Sequence, residues 1–209
     1  MAILHRSTTL AAANVAAFAC CLGVVTALPA WAGATRVVAN VDAAHRQAPH
    51  IVLSQIKRTF TRDWWLSLAA AVLGVLGAAS FLSVGAYLSG TTRIVGLAVL
   101  AVVYLLGAVL LANYVRAAGT LPMPATRAQV MTETMRRILE YPGRAVGSTL
   151  LMLLCAPLWL VAPLAIAFGI ILPIGLAHLV WRRIEVGVGD DDELWNDARE
   201  DSAGAGEDF

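Results

Sequence analysis

Four stretches of the chain carry no charged residue: 7–35, 64–92, 94–115 and 145–181. A helix needs about 20 mostly apolar residues to cross a hydrocarbon core of about 30 Å. Each of the first three stretches holds one such segment, at 10–32, 65–88 and 94–114. The fourth would measure about 55 Å as one helix, too long for one crossing, and it contains Pro157, Pro163 and Pro173. Proline removes a backbone donor and clashes with the preceding turn. The stretch therefore predicts two short helices, 146–161 and 164–183, that turn near Ala162-Pro163, with Pro173 kinking the second. The pattern predicts an all-α polytopic membrane helix bundle of five transmembrane helices.

Between these spans the apolar period changes to that of amphipathic helices. Residues 36–48 and 51–62 can each be helical. Ile51, Val52, Ile56 and Phe60 fall on one face of the second, with Lys57, Arg58 and Arg62 directed elsewhere. In 126–141, Val130, Met131, Met135, Ile138 and Leu139 recur at helical spacing against Arg127, Arg136, Arg137 and Glu140. Basic amphipathic helices beside a membrane lie at its interface with cations near anionic lipid. Docking a cytosolic partner is the alternative. Lys57, Arg58, Arg62, Arg136 and Arg137 are the candidate lipid or partner contacts. Placing Lys57-Arg58 over Arg136-Arg137 aligns Ile51 with Val130 and Phe60 with Leu139. The chain then reads as a leading helix and two copies of amphipathic helix, span, span.

Composition sharpens the class. Hydrophobic residues make up 59% and charged residues 14%, and mean hydropathy is +0.73. Soluble domains carry about a quarter charged residues, so too few charges remain to cover a water-facing surface. The net charge of +1 hides a division: residues 1–183 hold 14 of the basic residues and only 4 acidic ones, whereas ten acidic residues follow from Glu185. The acidic stretch 184–209 reads as a disordered cytoplasmic tail, and 1–183 as the transmembrane domain. Cytoplasmic loops carry excess Lys and Arg. Five spans place loops 33–63 and 115–145 and the tail on one side, with the N-terminus outside and the C-terminus in the cytoplasm of a multi-pass cell-membrane protein. The start of the chain also fits a secretory signal ending in Ala30-Trp31-Ala32. Cleavage there would leave five basic residues of 33–63 outside, so a retained helix is the reading.

Tryptophan and tyrosine favour the headgroup level. Trp31, Trp64, Trp65, Tyr114 and Trp181 fall at predicted inner ends, and Tyr87 and Trp159 at outer ends. The five tryptophans named are the predicted membrane-interface anchors. Gly23-x-x-x-Ala27 and Gly74-x-x-x-Ala78 would allow close helix approach.

The sequence offers no catalytic, cofactor-binding or metal site. Cys20, Cys21 and Cys155 lie in apolar spans without metal-ligand spacing. His45 and His50 have no acidic cluster nearby, and His178, the one candidate for an intramembrane ion path, falls near a predicted inner helix end where it can face the headgroups. The expectation is a non-enzymatic protein without cofactor or nucleic-acid partner.

Thr26-Ala27-Leu28-Pro29-Ala30-Trp31-Ala32-Gly33-Ala34-Thr35, with Asn14 earlier in the same helix, resembles the end of the first span in the YesL-like membrane family. Ile51–Trp65, with Lys57, Arg58, Phe60 and Trp64, is similar to the family's segment before its second span. The resemblance covers roughly 10–183, has Trp31 where threonine is common, and leaves 115–145 hard to match. The family is a domain of unknown function in Gram-positive bacteria, its genes often beside ATP-driven carbohydrate uptake systems. The resemblance thus implies an accessory or regulatory role in carbohydrate transport, with sugar-transporter subunits as partners; the bilayer and a second copy of the chain are the other partners expected. A small permease-like transport subunit is the alternative.

Overall fold

The computed structural model describes residues 2–21, 23–41, 44, 47–160, 166 and 168–185. Every regular element among them is helical. The helices are α1 (Ala2–Cys21), α2 (Ala27–Ala39), α3 (Ala48–Tyr87), α4 (Gly90–Thr120), α5 (Arg127–Glu140), α6 (Pro142–Leu154) and α7 (Ile171–Glu185).

The predicted span 10–32 is two helices. The chain leaves α1 after Cys21 and makes a 3-10 turn over Val24–Thr26, where the Thr26 hydroxyl donates to the carbonyls of Cys20 and Gly23. Pro29 lies in the first turn of α2, where its missing N–H would find no intrahelical acceptor anyway. The two segments read separately as 51–62 and 65–88 are one helix, α3, of 40 residues, about 60 Å long. No proline or glycine interrupts the register from Ile51 to Leu73, so the amphipathic pattern passes directly into the apolar one. In the second half of the chain the pieces stay apart, because Pro142 opens α6 immediately after α5. The fourth predicted span also stops early: α6 ends at Leu154, and a 3-10 turn runs from Ala156 to Leu160. Pro173 falls in the first turn of α7 and starts the helix where a mid-helix kink was expected. The turn read at Ala162-Pro163 and the acidic tail from residue 186 lie outside the described residues.

α2 is the centre of the packed region and touches α1, α3, α4 and α7. Its inward surface is small: Ala30, Gly33 and Ala34 are buried. One cluster joins Ala13 and Ala17 of α1, Ala34 and Val37 of α2, Val52 of α3 and Ile174 of α7. A second joins Ala32, Tyr114, Ala117 and Val130. The close approaches are not at the predicted glycine pairs. Gly74 has open space where a side chain would stand, and a Cβ on Gly23 would meet only its own turn. The close approaches to another helix's backbone are at Gly33 and Gly119. A Cβ on Gly33 would stand 3.0 Å from the Val52 Cα, and one on Gly119 would stand 2.7 Å from both the Ala32 carbonyl oxygen and the Thr35 Cβ. Because a backbone oxygen cannot swing aside, Gly119→Ala is expected to force α2 from α4 and cost about 1–3 kcal/mol. Unfolding of the variant in detergent micelles measures this, with Gly74→Ala as a silent control.

Beyond this core, α3 and α4 continue as an antiparallel hairpin, alone among the described residues. They are joined through Leu88 and Ser89 to Gly90, whose φ of +59° is the left-handed turn conformation that glycine takes without strain. Along the hairpin the Tyr104 ring packs against Gly77, yet the outer apolar side chains are bare: Val75 is 71% exposed, Leu82 74% and Ile94 69%. α3 and α4 are the two helices among the described residues long and apolar enough to cross a membrane.

Candidate functional site

The polar side chains gather at the root of this hairpin, opposite the Gly90 turn. At its centre is Asp63, buried on α3. Adjacent residues on a helix do not normally face each other. Here the long Arg62 side chain folds back, and its Nε and Nη2 each reach an Asp63 carboxylate oxygen at 2.8 Å. The Tyr114 hydroxyl of α4 donates to Asp63 Oδ1 at 2.6 Å. The remaining Arg62 nitrogen, Nη1, donates to the Ala125 carbonyl at 2.9 Å, and Arg127 donates to the Arg62 carbonyl from Nε at 3.1 Å and from Nη2. The carboxylate thus ties α3 to α4, and Arg62, which it holds, links both to the start of α5. Burial alone would lower the Arg62 pKa, but the Asp63 hydrogen bond and charge outweigh it and hold the guanidinium above its ordinary value. One turn further, Ser67 donates to the Asp63 carbonyl at 3.2 Å and accepts from the Leu28 backbone N–H at 3.3 Å. That bond serves an amide of α2's first turn, one of those with no intrahelical acceptor.

Arg36 makes a second tie. Its Nε donates to Gln55 Oε1 at 3.2 Å, and its Nη2 to the carbonyls of Ala118 and Leu121. It therefore holds the end of α2 to α3 and to the last turn of α4, where backbone carbonyls have no helical partner.

A third group surrounds Trp181 of α7, 1% exposed. Its indole N–H donates to Ser148 Oγ at 3.2 Å, the Arg116 and Arg137 guanidinium carbons stand 5.6 and 5.8 Å from its ring centroid, and Tyr141 meets it edge-on at 6.1 Å. Cations over a tryptophan face are attracted to its quadrupole. Arg116 also donates to His178 Nδ1 at 3.2 Å, and Arg137 to Thr120 Oγ1 at 2.9 Å and Glu133 Oε1 at 2.7 Å.

α5 carries its own charge pattern. Thr126 and Gln129 form a capping box at its start, satisfying two amides reciprocally. Glu133 receives Arg136 at 2.8 Å and Arg137 at 2.7 Å, and Arg136 also reaches Glu140 at 2.8 Å. Burial alone would raise the Glu133 pKa, but the two arginine hydrogen bonds outweigh it and hold the carboxyl below its ordinary 4.5. A depressed folded-state pKa contributes stability that is complete above the unfolded value and lost as pH falls through the folded one. The packing of α5 is therefore expected to loosen as pH is lowered from about 4.5. Amide exchange in α5, corrected for intrinsic rates, should rise over that window in the parent chain and lose the pH-dependent part in Glu133→Gln.

The predicted contact residues divide. Lys57 and Arg58 are exposed. Arg136 is exposed but ion-paired on both sides. Arg62 and Arg137, read as surface contacts, face other helices, with only 10% and 11% of their side chains exposed. The predicted aromatic anchors divide as well. Trp65 is 56% exposed and stacks against the half-buried Trp64 at 4.1 Å. Trp31 is half-buried against the α1–α2 core. Trp181 and Tyr114 are buried between helices, because each has a polar atom with a protein partner in reach. The side chain of Trp159 lies outside the described residues.

Sequence reasoning passed over Asp63 and the clamp role of Asn14. Asn14, fully buried in α1, accepts from the Ile170 and Ile171 N–H groups at 3.0 and 2.9 Å and donates to the Ile166 carbonyl. It supplies the N-terminal cap of α7 from a helix more than 150 residues earlier. A signal for Asp63 existed: it is one of four acidic residues in 1–183, placed directly before a long apolar run.

Chemically, the root is a set of closed ion pairs and caps that fasten helices together. Cys20, Cys21 and Cys155 are unbridged, and no group of His, Cys, Asp and Glu among the described residues could hold a metal ion. Comparison with known protein families, with curated proteins and with solved structures finds no match to this chain.

Proposed function

We propose that this chain is a non-enzymatic integral membrane protein that acts as an accessory or assembly subunit beside a carbohydrate uptake system. The observation that carries the membrane reading is the α3–α4 hairpin, whose apolar side chains stand exposed all along its length. Water would make such a surface aggregate, whereas hydrocarbon solvates it. The hairpin is neither N-terminal nor buried, which separates it from a signal sequence and from the core helix of a soluble domain. The orientation with basic ends in the cytoplasm rests on the gathering of Arg36, Arg62, Arg116, Arg127, Arg136 and Arg137 at the hairpin root, following the bias of cytoplasmic loops toward basic residues.

The accessory role rests on the resemblance of residues 26–35 and 51–65 to the YesL-like family, together with a polar root whose named groups hold helices rather than a substrate. Purification of the tagged chain from gently solubilised native membranes tests it. Subunits of an ATP-driven sugar transporter are expected to co-purify well above their level with an unrelated tagged membrane protein. Their absence at equal yield overturns the accessory role and leaves the membrane reading to be judged by membrane extraction alone.

A further inference from the structure

α5 divides its circumference into three faces, at about 100° of rotation per residue. Val130, Thr134 and Arg137 turn toward the protein and are buried. Met131, Met135 and Leu139 form an apolar stripe at i, i+4 and i+8 that is bare, with Leu139 78% exposed. Glu133, Arg136 and Glu140 form the third face, joined by ion pairs. The helix predicted from the sequence had one apolar face; in the fold Val130 and Ile138 turn toward the packed region while Met131, Met135 and Leu139 do not.

Both ends of α5 are fastened at the hairpin root. Arg127 donates to the Arg62 carbonyl, three residues before the apolar run of α3 begins at 65. Arg137 donates to Thr120, the last residue of α4, about 9 Å beyond the end of the apolar run at 114. The two ties are ten residues apart, so about 15 Å of helix bridges the root. A helix held at both ends near the depth where two crossing helices leave the bilayer runs across them. Its three faces then meet three environments: protein at its side, hydrocarbon on one flank and water on the other.

We infer that α5 is an in-plane interfacial helix, its Met131–Met135–Leu139 face seated at the acyl boundary of one leaflet and its Glu133–Arg136–Glu140 face in water. This rests on the reading of α3–α4 as a membrane hairpin. The occupant of the stripe is lipid, because the bare stripe is held at the root where the exposed apolar surface of the hairpin begins. Amphipathic helices of this kind sink their apolar face about 5–10 Å into the headgroup and acyl boundary. Arg136 does not provide the hold, since Glu133 and Glu140 offset its charge.

The test places an environment-sensitive fluorophore on single cysteines at Val99, Met135 and Glu140, with Cys20, Cys21 and Cys155 changed to alanine. The full chain is reconstituted in vesicles of phosphatidylcholine and phosphatidylglycerol that contain lipids nitroxide-labelled at shallow or deep acyl positions. Deep quenching at 99, shallow quenching at 135 and several-fold weaker lipid quenching at 140 are expected. Quenching at 99 without quenching at 135 overturns the in-plane helix and leaves the hairpin standing. A label at 135 shielded from both lipid nitroxide and aqueous iodide means that protein covers the stripe, and overturns it equally. No lipid quenching at 99 overturns the hairpin and this inference with it. The unmodified chain, photolabelled by a carbene-generating lipid and mapped by mass spectrometry, gives the same discrimination without substitutions: label on Met131 or Met135 is expected, and its absence there beside label on α4 overturns the inference.

Discussion

Asp63→Ala is expected to lower stability by about 3–5 kcal/mol, the cost of removing one partner from a buried ion pair. The size follows from what the carboxylate leaves behind. Arg62, mostly buried, would keep only the Ala125 carbonyl as acceptor, and the Tyr114 hydroxyl would lose its 2.6 Å bond. An uncompensated cation would then stand at the junction of three helices, where its only relief is for the root to open to water. The damage should be shared: α5 is tied to the Arg62 backbone through Arg127, so its amides should lose protection along with those of α3 near residue 63.

Two milder variants grade the effect. Asp63→Asn keeps an oxygen for Arg62 Nε and the Tyr114 hydroxyl but loses the charge and sets an amide NH2 against Arg62 Nη2, so it should fall between alanine and the parent. Tyr114→Phe removes a single hydrogen bond to a charged group and should cost about 1.5–3 kcal/mol. Unfolding of the detergent-solubilised protein, titrated with a denaturing detergent, gives the order. If Asp63→Ala unfolds at the same point as the parent, the ion pair is not what closes the root.

The distribution of charge along the chain made the long helices legible, because two apolar runs of spanning length need no partner to be recognised. α5 was legible for a related reason: its expected range of 126–141 lies within a residue at each end of the observed Arg127–Glu140. The Thr126-x-x-Gln129 signature would have placed its start still more closely. What failed were readings that needed the neighbours. A 29-residue uncharged stretch at 7–35 looked like one helix, but Thr26 turns the chain by bonding back to Cys20 and Gly23, and small residues of α2 then pack against four other helices. Glycine spacing singles out Gly23 and Gly74, yet the close approaches to a neighbouring backbone are at Gly33 and Gly119, neither of which has a small residue four positions on. Arg62, Arg137, Trp181 and Tyr114 each carry an apolar stem or ring with a polar end. Such side chains suit a membrane surface and a helix junction equally well, and the partner within reach decides between them.

Asn14 is the strongest case of a residue whose role only the fold reveals, and its loss carries the second large expected effect. As the main polar residue of an apolar helix it could have marked a transport path. Instead, its carboxamide meets the start of α7. The first turn of a helix leaves amides without intrahelical acceptors. Pro173 removes one of these donors, and the Asn14 oxygen takes those of Ile170 and Ile171 while its nitrogen donates to the Ile166 carbonyl. Asn14→Ala would strip partners from two buried N–H groups and a carbonyl. Each such group costs about 1–3 kcal/mol, and local relaxation recovers part, so a loss of about 2–5 kcal/mol is expected. Asn14→Leu discriminates the cause. It restores the volume and none of the bonds, so it should be nearly as unstable as alanine if the cap matters and near the parent if only packing does. Asn14→Asp keeps the acceptors and turns a carboxylate oxygen toward the Ile166 carbonyl, so it should not rescue. Amide exchange separates this clamp from the root: protection should fall at the start of α7 and in α1, while the Asp63 region of α3 and α4 keeps its own, since distant sites without shared partners act independently. Equal protection of α7 in Asn14→Leu and in the parent would mean that the helix holds its own first turn, and Asn14 would lose its role.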